Sequence, residues 1–190
     1  MGQYYKPLSI EKKQYVYSHN FGSGLKLIEH SWRKNPFVNS VASLIAKGGA
    51  WYGDRIVWGG DYADNEENLE TNLYDIVGEN EIKPDVPKRT YRYFHNLDTN
   101  EFVDVNKCPE EDPDNIGWNI HPLPLLTCEG NGRGGGDFRG ENDWVGDWAR
   151  KRIVASYTKP KGADEIFPNF TERSTLTFKK PKTKKAVHHA

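Results

Sequence analysis

Apolar positions recur along this chain in short periodic runs, and each run predicts one element. Residues 14–18 (Gln-Tyr-Val-Tyr-Ser) and 25–29 (Leu-Lys-Leu-Ile-Glu) read as strands joined by a turn through Asn20, Gly22 and Gly24. Residues 36–47 read as a helix. Pro36 suits a first helical turn after Asn35, and Phe37, Val41, Leu44 and Ile45 keep helical spacing up to Gly48-Gly49. Trp51 to Trp58 predicts a buried strand entered through Gly53-Asp54, and Leu69, Leu73 and Ile76 predict a short helix near 66–76.

Tyr91 to Val105 is the clearest hairpin. Tyr91, Tyr93 and His95 alternate, Asp98-Thr99-Asn100 turns, and Phe102, Val103 and Val105 return. Cys108 to Gly117 reads as a loop, and Ile120 to Thr127 as an extended segment, since Pro122 and Pro124 argue against a central strand. A short helix near Asp143–Arg150, a strand at 151–157 and a strand at Thr175–Phe178 complete the reading.

One repeat is visible. Trp51-Tyr-Gly-Asp-Arg-Ile-Val57 can be laid over Trp148-Ala-Arg-Lys-Arg-Ile-Val154, with Trp, Arg, Ile and Val identical. The repeat would support a pseudo-symmetric β structure. The fold class predicted is α+β: one β-rich domain over residues 1–178. A twisted antiparallel or mixed sheet, or a partial barrel, would carry one or two short helices, ahead of a basic, flexible tail at 179–190.

Charge changes this picture in only a few places. With a net charge of −1, the 190-residue chain is not a globally basic nucleic-acid binder. Acidic residues concentrate between Asp61 and Asp85, whereas Lys179, Lys180, Lys182, Lys184 and Lys185 make the C-terminus basic. Two cysteines, Cys108 and Cys128, are too few for a disulfide framework. The N-terminus shows no apolar run, which predicts a cytoplasmic protein without a membrane span.

Candidate chemistry gathers in Glu129–Gly140, where six of twelve residues are glycine. Such a density lets main-chain amides form concave anion-binding nests. Arg133 and Arg139 would add planar bidentate donors for phosphate or carboxylate. The match of Gly130-Asn-Gly132-Arg-Gly134-Gly135 to a dinucleotide fingerprint lacks the alternating units that a dinucleotide fold needs, and there is no Gly-Lys-Ser/Thr for a phosphate loop. The bland account is that these arginines pair with Glu129, Asp137 or Asp143.

The second polar cluster runs from Trp51 through Asp54 and Arg55 to Asp61 and Asp64. Asp54 fits ordinary turn chemistry. Asp61 and Asp64 fit acid/base work, oxygen ligation of a divalent cation, or a solvated loop. His30 and His121 lie near these segments without zinc spacing, so no metal site is predicted. Cys128 has no histidine beside it in sequence and reads as a small buried residue.

The runs Trp-Tyr-Gly-Asp-Arg-Ile-Val-Trp-Gly-Gly-Asp-Tyr-Ala-Asp64, Asn96-Leu-Asp-Thr-Asn-Glu-Phe-Val-Asp104 and His121-Pro-Leu-Pro-Leu-Leu-Thr-Cys-Glu-Gly-Asn-Gly-Arg-Gly-Gly-Gly-Asp137 resemble a family of uncharacterised bacterial, phage and fungal proteins. The resemblance implies no activity or cofactor. It suggests a phage or defence setting, and Arg150-Lys151 stands where the second copy of the motif would read Gly-Asp.

The function expected from the residues is a binding module for a small anionic ligand, nucleotides being one such class. Trp51, Asp54, Arg55, Asn131, Arg133, Gly134, Gly135, Gly136, Asp137 and Arg139 would line its pocket. One alternative is a hydrolase using Asp61, Asp64, Glu129 and Asp137 there, with or without a metal. Another is a structural or interaction protein with a protein partner. No membrane or nucleic-acid partner is expected, and the cofactor is left open.

Overall fold

The computed structural model describes residues 3–108, 120–131 and 145–166 and, as backbone, 167–172 and 175–179. Strands β1 (Tyr5–Ser9) and β2 (Gln14–Tyr15) lead through 3-10 turns to helix α1 (Pro36–Ile45) and strand β3 (Arg55–Gly60). Helix α2 (Leu73–Ile76) and the hairpin β4 (Tyr93–Asn96) and β5 (Glu101–Asp104) follow. Then come helix α3 (Pro122–Thr127), β6 (Cys128–Glu129), β7 (Lys151–Ser156), β8 (Asp164–Glu172) and β9 (Thr175–Lys179).

The strands form one open, mixed sheet in the order β2-β1-β3-β7-β4-β5-β8-β9, so the fold is β-rich α+β. Pairing is antiparallel except for β5 with β8 and for β6, which lies parallel to β3. Alternation along β3 separates two clusters. Ile56 and Trp58 join the main core with Phe37, Val41, Leu44, Trp51 and Trp148, while Val57 packs with Leu8, Leu73 and Val77 behind the sheet. No helix among the described residues is long and apolar enough to cross a membrane.

Helix α1 forms where expected, because Asn35 accepts the Phe37 and Val38 N–H groups and Pro36 occupies the first turn. It ends at Ile45, since Ala46 turns extended and bridges to Ala155. The hairpin is observed as β4 and β5.

Several elements differ from expectation. Residues 122–127 are helical, not extended: both prolines sit in the first turn, where N–H groups have no intrahelical acceptor, and His121 Nδ1 caps it by accepting from Leu123 N–H at 3.0 Å. The strand read at 14–18 stops at Tyr15, and 25–29 contains a 3-10 turn in which Glu29 folds back onto the Lys26 N–H at 3.0 Å. The helix at 66–76 reduces to 73–76, because Asn72 starts it and Asn68 adopts φ +62°. Residues 145–150 form successive turns, while 132–144 and the tail from 180 lie outside the described residues. Strands β1 and β8 carried no clear sequence signal.

The repeat read from sequence has a structural counterpart that extends well beyond it. Trp51 N–H donates to Leu44 O at 2.8 Å, and Trp148 N–H to Leu126 O at 2.7 Å. Asn35 caps α1 as His121 caps α3. Ala46, after α1, bridges to Ala155 in β7, and Cys128, after α3, pairs with Trp58 in β3. The turns after β1 and β4 hold Lys13 at φ +49° and Asn100 at φ +56°. Beyond them Tyr15 pairs in parallel with Glu81, as Phe102 does with Glu165. Two similar halves therefore meet at β3 and β7, where Arg55 faces Arg152.

Candidate functional site

The two segments singled out in sequence meet at their roots. Gly59 pairs with Glu129, and Gly60 has no room for a side chain, because a Cβ there would lie 2.8 Å from Gln3 Oε1 and 3.2 Å from Glu129 O. The Gln3 carboxamide spans the start of the glycine-rich loop, accepting from Asn131 N–H at 3.2 Å and donating to its carbonyl at 3.3 Å. Arg133, Gly134, Gly135, Gly136, Asp137 and Arg139 lie outside the described residues.

The described members of that set are occupied structurally. Trp51 is fully buried and donates Nε1–H to Gln14 at 3.2 Å, so it belongs to the core. Asp54 accepts from Ser9 at 2.7 Å and Lys12 at 2.5 Å. Arg55 holds Glu11 at 2.6 Å. Asp61 accepts the Tyr4 N–H at 3.0 Å, and Asp64 is exposed in the following turn. Glu129 is gripped through both oxygens by Arg150, which also holds Glu66. The two carboxylates raise the Arg150 pKa, Glu129 contributing most. Both oxygens of Glu129 are thus already engaged by a cation. Among the described residues no group of three or more His, Cys, Asp or Glu could hold a metal.

His30 and His121 are buried polar residues with structural partners. His30 Nδ1–H donates to Gly24 O at 3.0 Å, and its Nε2 accepts from Trp58 Nε1–H at 3.0 Å. Burial first lowers its pKa to about 4. His121 is lowered to about 3, by burial and then by the neighbouring Arg33 cation. Cys128 is buried with its thiol on Leu125 O at 3.3 Å.

A basic concave site lies elsewhere. A cleft of about 680 Å³ opens where the chain enters α1 and crosses the segment that joins the two halves. Arg33, Lys34, Lys88, Arg89 and Arg92 line it together with Asn35, His121, Tyr91 and Tyr157, and no carboxylate is among the described residues that line it. The floor is set by pairing of the halves: Trp32 bridges to Ile120, and His121 N–H donates to Ser31 O at 2.7 Å. Arg33 is consequently buried, with one guanidinium nitrogen 2.9 Å from Cys108 O. Lys34 turns the chain into the helix at φ +65°, a left-handed conformation that costs a side-chain-bearing residue about 1 kcal/mol.

The cations differ in their freedom. Arg92 is held by Asp104 in a two-pronged contact at 3.0 and 2.9 Å. Lys34, Lys88 and Arg89 form no ion pair among the described residues, and the guanidinium of Arg89 lies 4.6 Å from the Tyr157 ring centroid. Tyr157 stacks on Tyr91 at 4.5 Å and 15°. Burial and then a hydrogen bond with Tyr157 push the Tyr91 hydroxyl up to about 12. The positive end of the α1 dipole adds to the same field.

Sequence reading missed this cleft. Its only linear trace is two basic dipeptides, Arg33-Lys34 before a helix cap and Lys88-Arg89 after an acidic stretch.

No family model, curated protein or solved structure matches the chain.

Proposed function

We propose that this protein is a binding module for a small anionic ligand and that the basic cleft at the start of α1 is where it binds. One observation carries the reading: five cationic side chains line a cleft of about 680 Å³, and no carboxylate is among the described residues that line it. That volume falls within the range of small-molecule sites. In a partly desolvated cleft, guanidinium and ammonium groups favour phosphate or carboxylate groups. Arg133 and Arg139 of the glycine-rich loop are proposed as a second anion contact, supported by their sequence setting alone.

The test is calorimetry with inorganic phosphate, pyrophosphate, citrate and ribose 5-phosphate at low and high salt. At least one should bind, and its affinity should fall as salt screens the cleft. The double variant Lys88→Gln, Arg89→Gln should lose at least tenfold in affinity with an unchanged melting temperature. Absence of binding by every probe at millimolar concentration, or an unaltered double variant, overturns the proposal.

A further inference from the structure

The cleft combines two recognition elements that a simple anion does not need together. Tyr157 is 40% exposed, a large ring left partly in water at the rim of a polar cleft. It is not loose. Its ring stacks on Tyr91 at 4.5 Å and 15°, the Arg89 guanidinium lies 4.6 Å from its centroid, and its hydroxyl donates to Arg89 O at 3.3 Å. Three planar groups are thus gathered in one place beside Lys34 and Lys88. Tyr91 is anchored against the main core, so the assembly is fixed at its inner end and exposed at its outer one.

Planar guanidinium and phenol groups are the surfaces on which nucleobases stack, and every base offers a face of that kind. The exposed member is Arg89, joined to the stack among the described residues by its guanidinium–ring contact and its carbonyl. A base would either lie on that guanidinium or replace it on the Tyr157 ring. In the second case the released cation would be left next to the ligand's own negative charge. Asn39 and Asn106 line the same cleft, the Asn39 amide donating to Pro87 O at 3.4 Å and exposed Asn106 carrying a carboxamide of the kind that pairs with a base edge.

We infer that the occupant of the cleft is a nucleoside phosphate, its base stacked at Tyr157 and Arg89 and its phosphate held by Lys34 and Lys88. This inference rests on the anion-binding reading above and narrows it. A sugar phosphate would satisfy the lysines and leave the aromatic rim unused, and an uncharged nucleoside would do the reverse.

The experiment compares the four common nucleoside 5′-monophosphates, ribose 5-phosphate and adenosine by calorimetry on the full chain. At least one nucleotide should bind ten times more tightly than ribose 5-phosphate, the scale of a single base stack. Tyr157→Ala should bring that nucleotide within threefold of ribose 5-phosphate while ribose 5-phosphate itself is unchanged. Tyr157→Phe should keep the preference, and Arg89→Gln, a variant that spares the ring, should weaken it. If ribose 5-phosphate binds wild type as well as every nucleotide does, the nucleoside inference falls and the anion site stands. If no phosphate-bearing probe binds, the nucleoside inference falls, and if citrate fails as well the anion site falls with it. A tenfold preference that survives in a folded Tyr157→Ala protein removes the stacking assignment.

Discussion

Arg55 and Arg152 stand directly opposite one another across β3 and β7, and each is bound by a carboxylate in the same manner. Glu11 accepts both the backbone N–H of Arg55 at 2.8 Å and its Nε–H at 2.6 Å. Asp98 does the same for Arg152 at 2.9 and 2.7 Å. Like charges facing each other on a sheet are unfavourable, and the two carboxylates, one from each half, offset that.

Neutralising either acid should therefore cost little, about 0.5–1 kcal/mol for Glu11→Gln or Asp98→Asn, because the pairs are exposed. The double variant should cost more than the sum at low salt, since the arginines then face each other unshielded. Urea unfolding at two salt concentrations measures this. The backbone hydrogen bond from Arg152, followed by its side chain, lowers the Asp98 pKa. That contribution is present above the ordinary carboxylate pKa and is lost as pH falls through the lower folded value.

Arg150 gives a second test. It joins Glu66 to Glu129 while its own backbone sits at φ +62°. Arg150→Ala should destabilise by about 1–2 kcal/mol, losing the clamp and keeping the strained backbone. Arg150→Gly loses the clamp and relaxes the strain, so it should be about 1 kcal/mol more stable than the alanine variant. Equal melting temperatures for the two variants would contradict this account.

The buried histidines predict acid sensitivity with a defined window. Both are neutral when folded, with pKa values near 4 for His30 and 3 for His121, while the unfolded chain takes up protons near pH 6.5. Between those values the unfolded state binds more protons, so stability rises with pH and falls on acidification. At pH 5 each histidine should have cost about 2 kcal/mol relative to neutral pH. Denaturant midpoints from pH 7.5 to 4.5 should fall accordingly. His30→Gln, less stable at neutral pH, should show roughly half the slope.

Two glycines near the Trp51 turn separate crowding from backbone strain. A Cβ at Gly49 would lie 2.2 Å from the carbonyl oxygens of Leu44 and Ser43, both in α1. At Gly53, with φ +83°, it would meet nothing within 4 Å. Gly53→Ala should cost about 1 kcal/mol from its left-handed backbone. Gly49→Ala should cost clearly more, since helix backbone must shift. Thermal unfolding of both variants gives the order.

How much was legible in sequence follows from the range of the interactions involved. Helix α1 was readable because Asn35, Pro36 and the following apolar spacing act within a few residues, and the β4–β5 hairpin because alternation and its turn are equally local. The repeat was visible only at Trp51–Val57 and Trp148–Val154, where each half places a buried tryptophan before a strand whose arginine faces its counterpart in the other half. Elsewhere the halves share backbone pairing, and hydrogen bonds between main-chain atoms leave the side chains at liberty to diverge. Proline misled at 122–127, since its role depends on whether the residue begins a helix.

What the chain determined by itself was thus the local inventory: a β-rich domain, a capped helix and a hairpin. Tertiary structure alone decided which charges are occupied and which are not. Glu129 is neutralised by an arginine 21 residues away and tied through it to Glu66, 84 residues from that arginine. The basic cleft draws on residues from Arg33 to Tyr157. Beyond the two basic dipeptides neither fact is written in the linear sequence, because electrostatic free energy depends on distance and burial in space, and both are set only when the two halves close on each other.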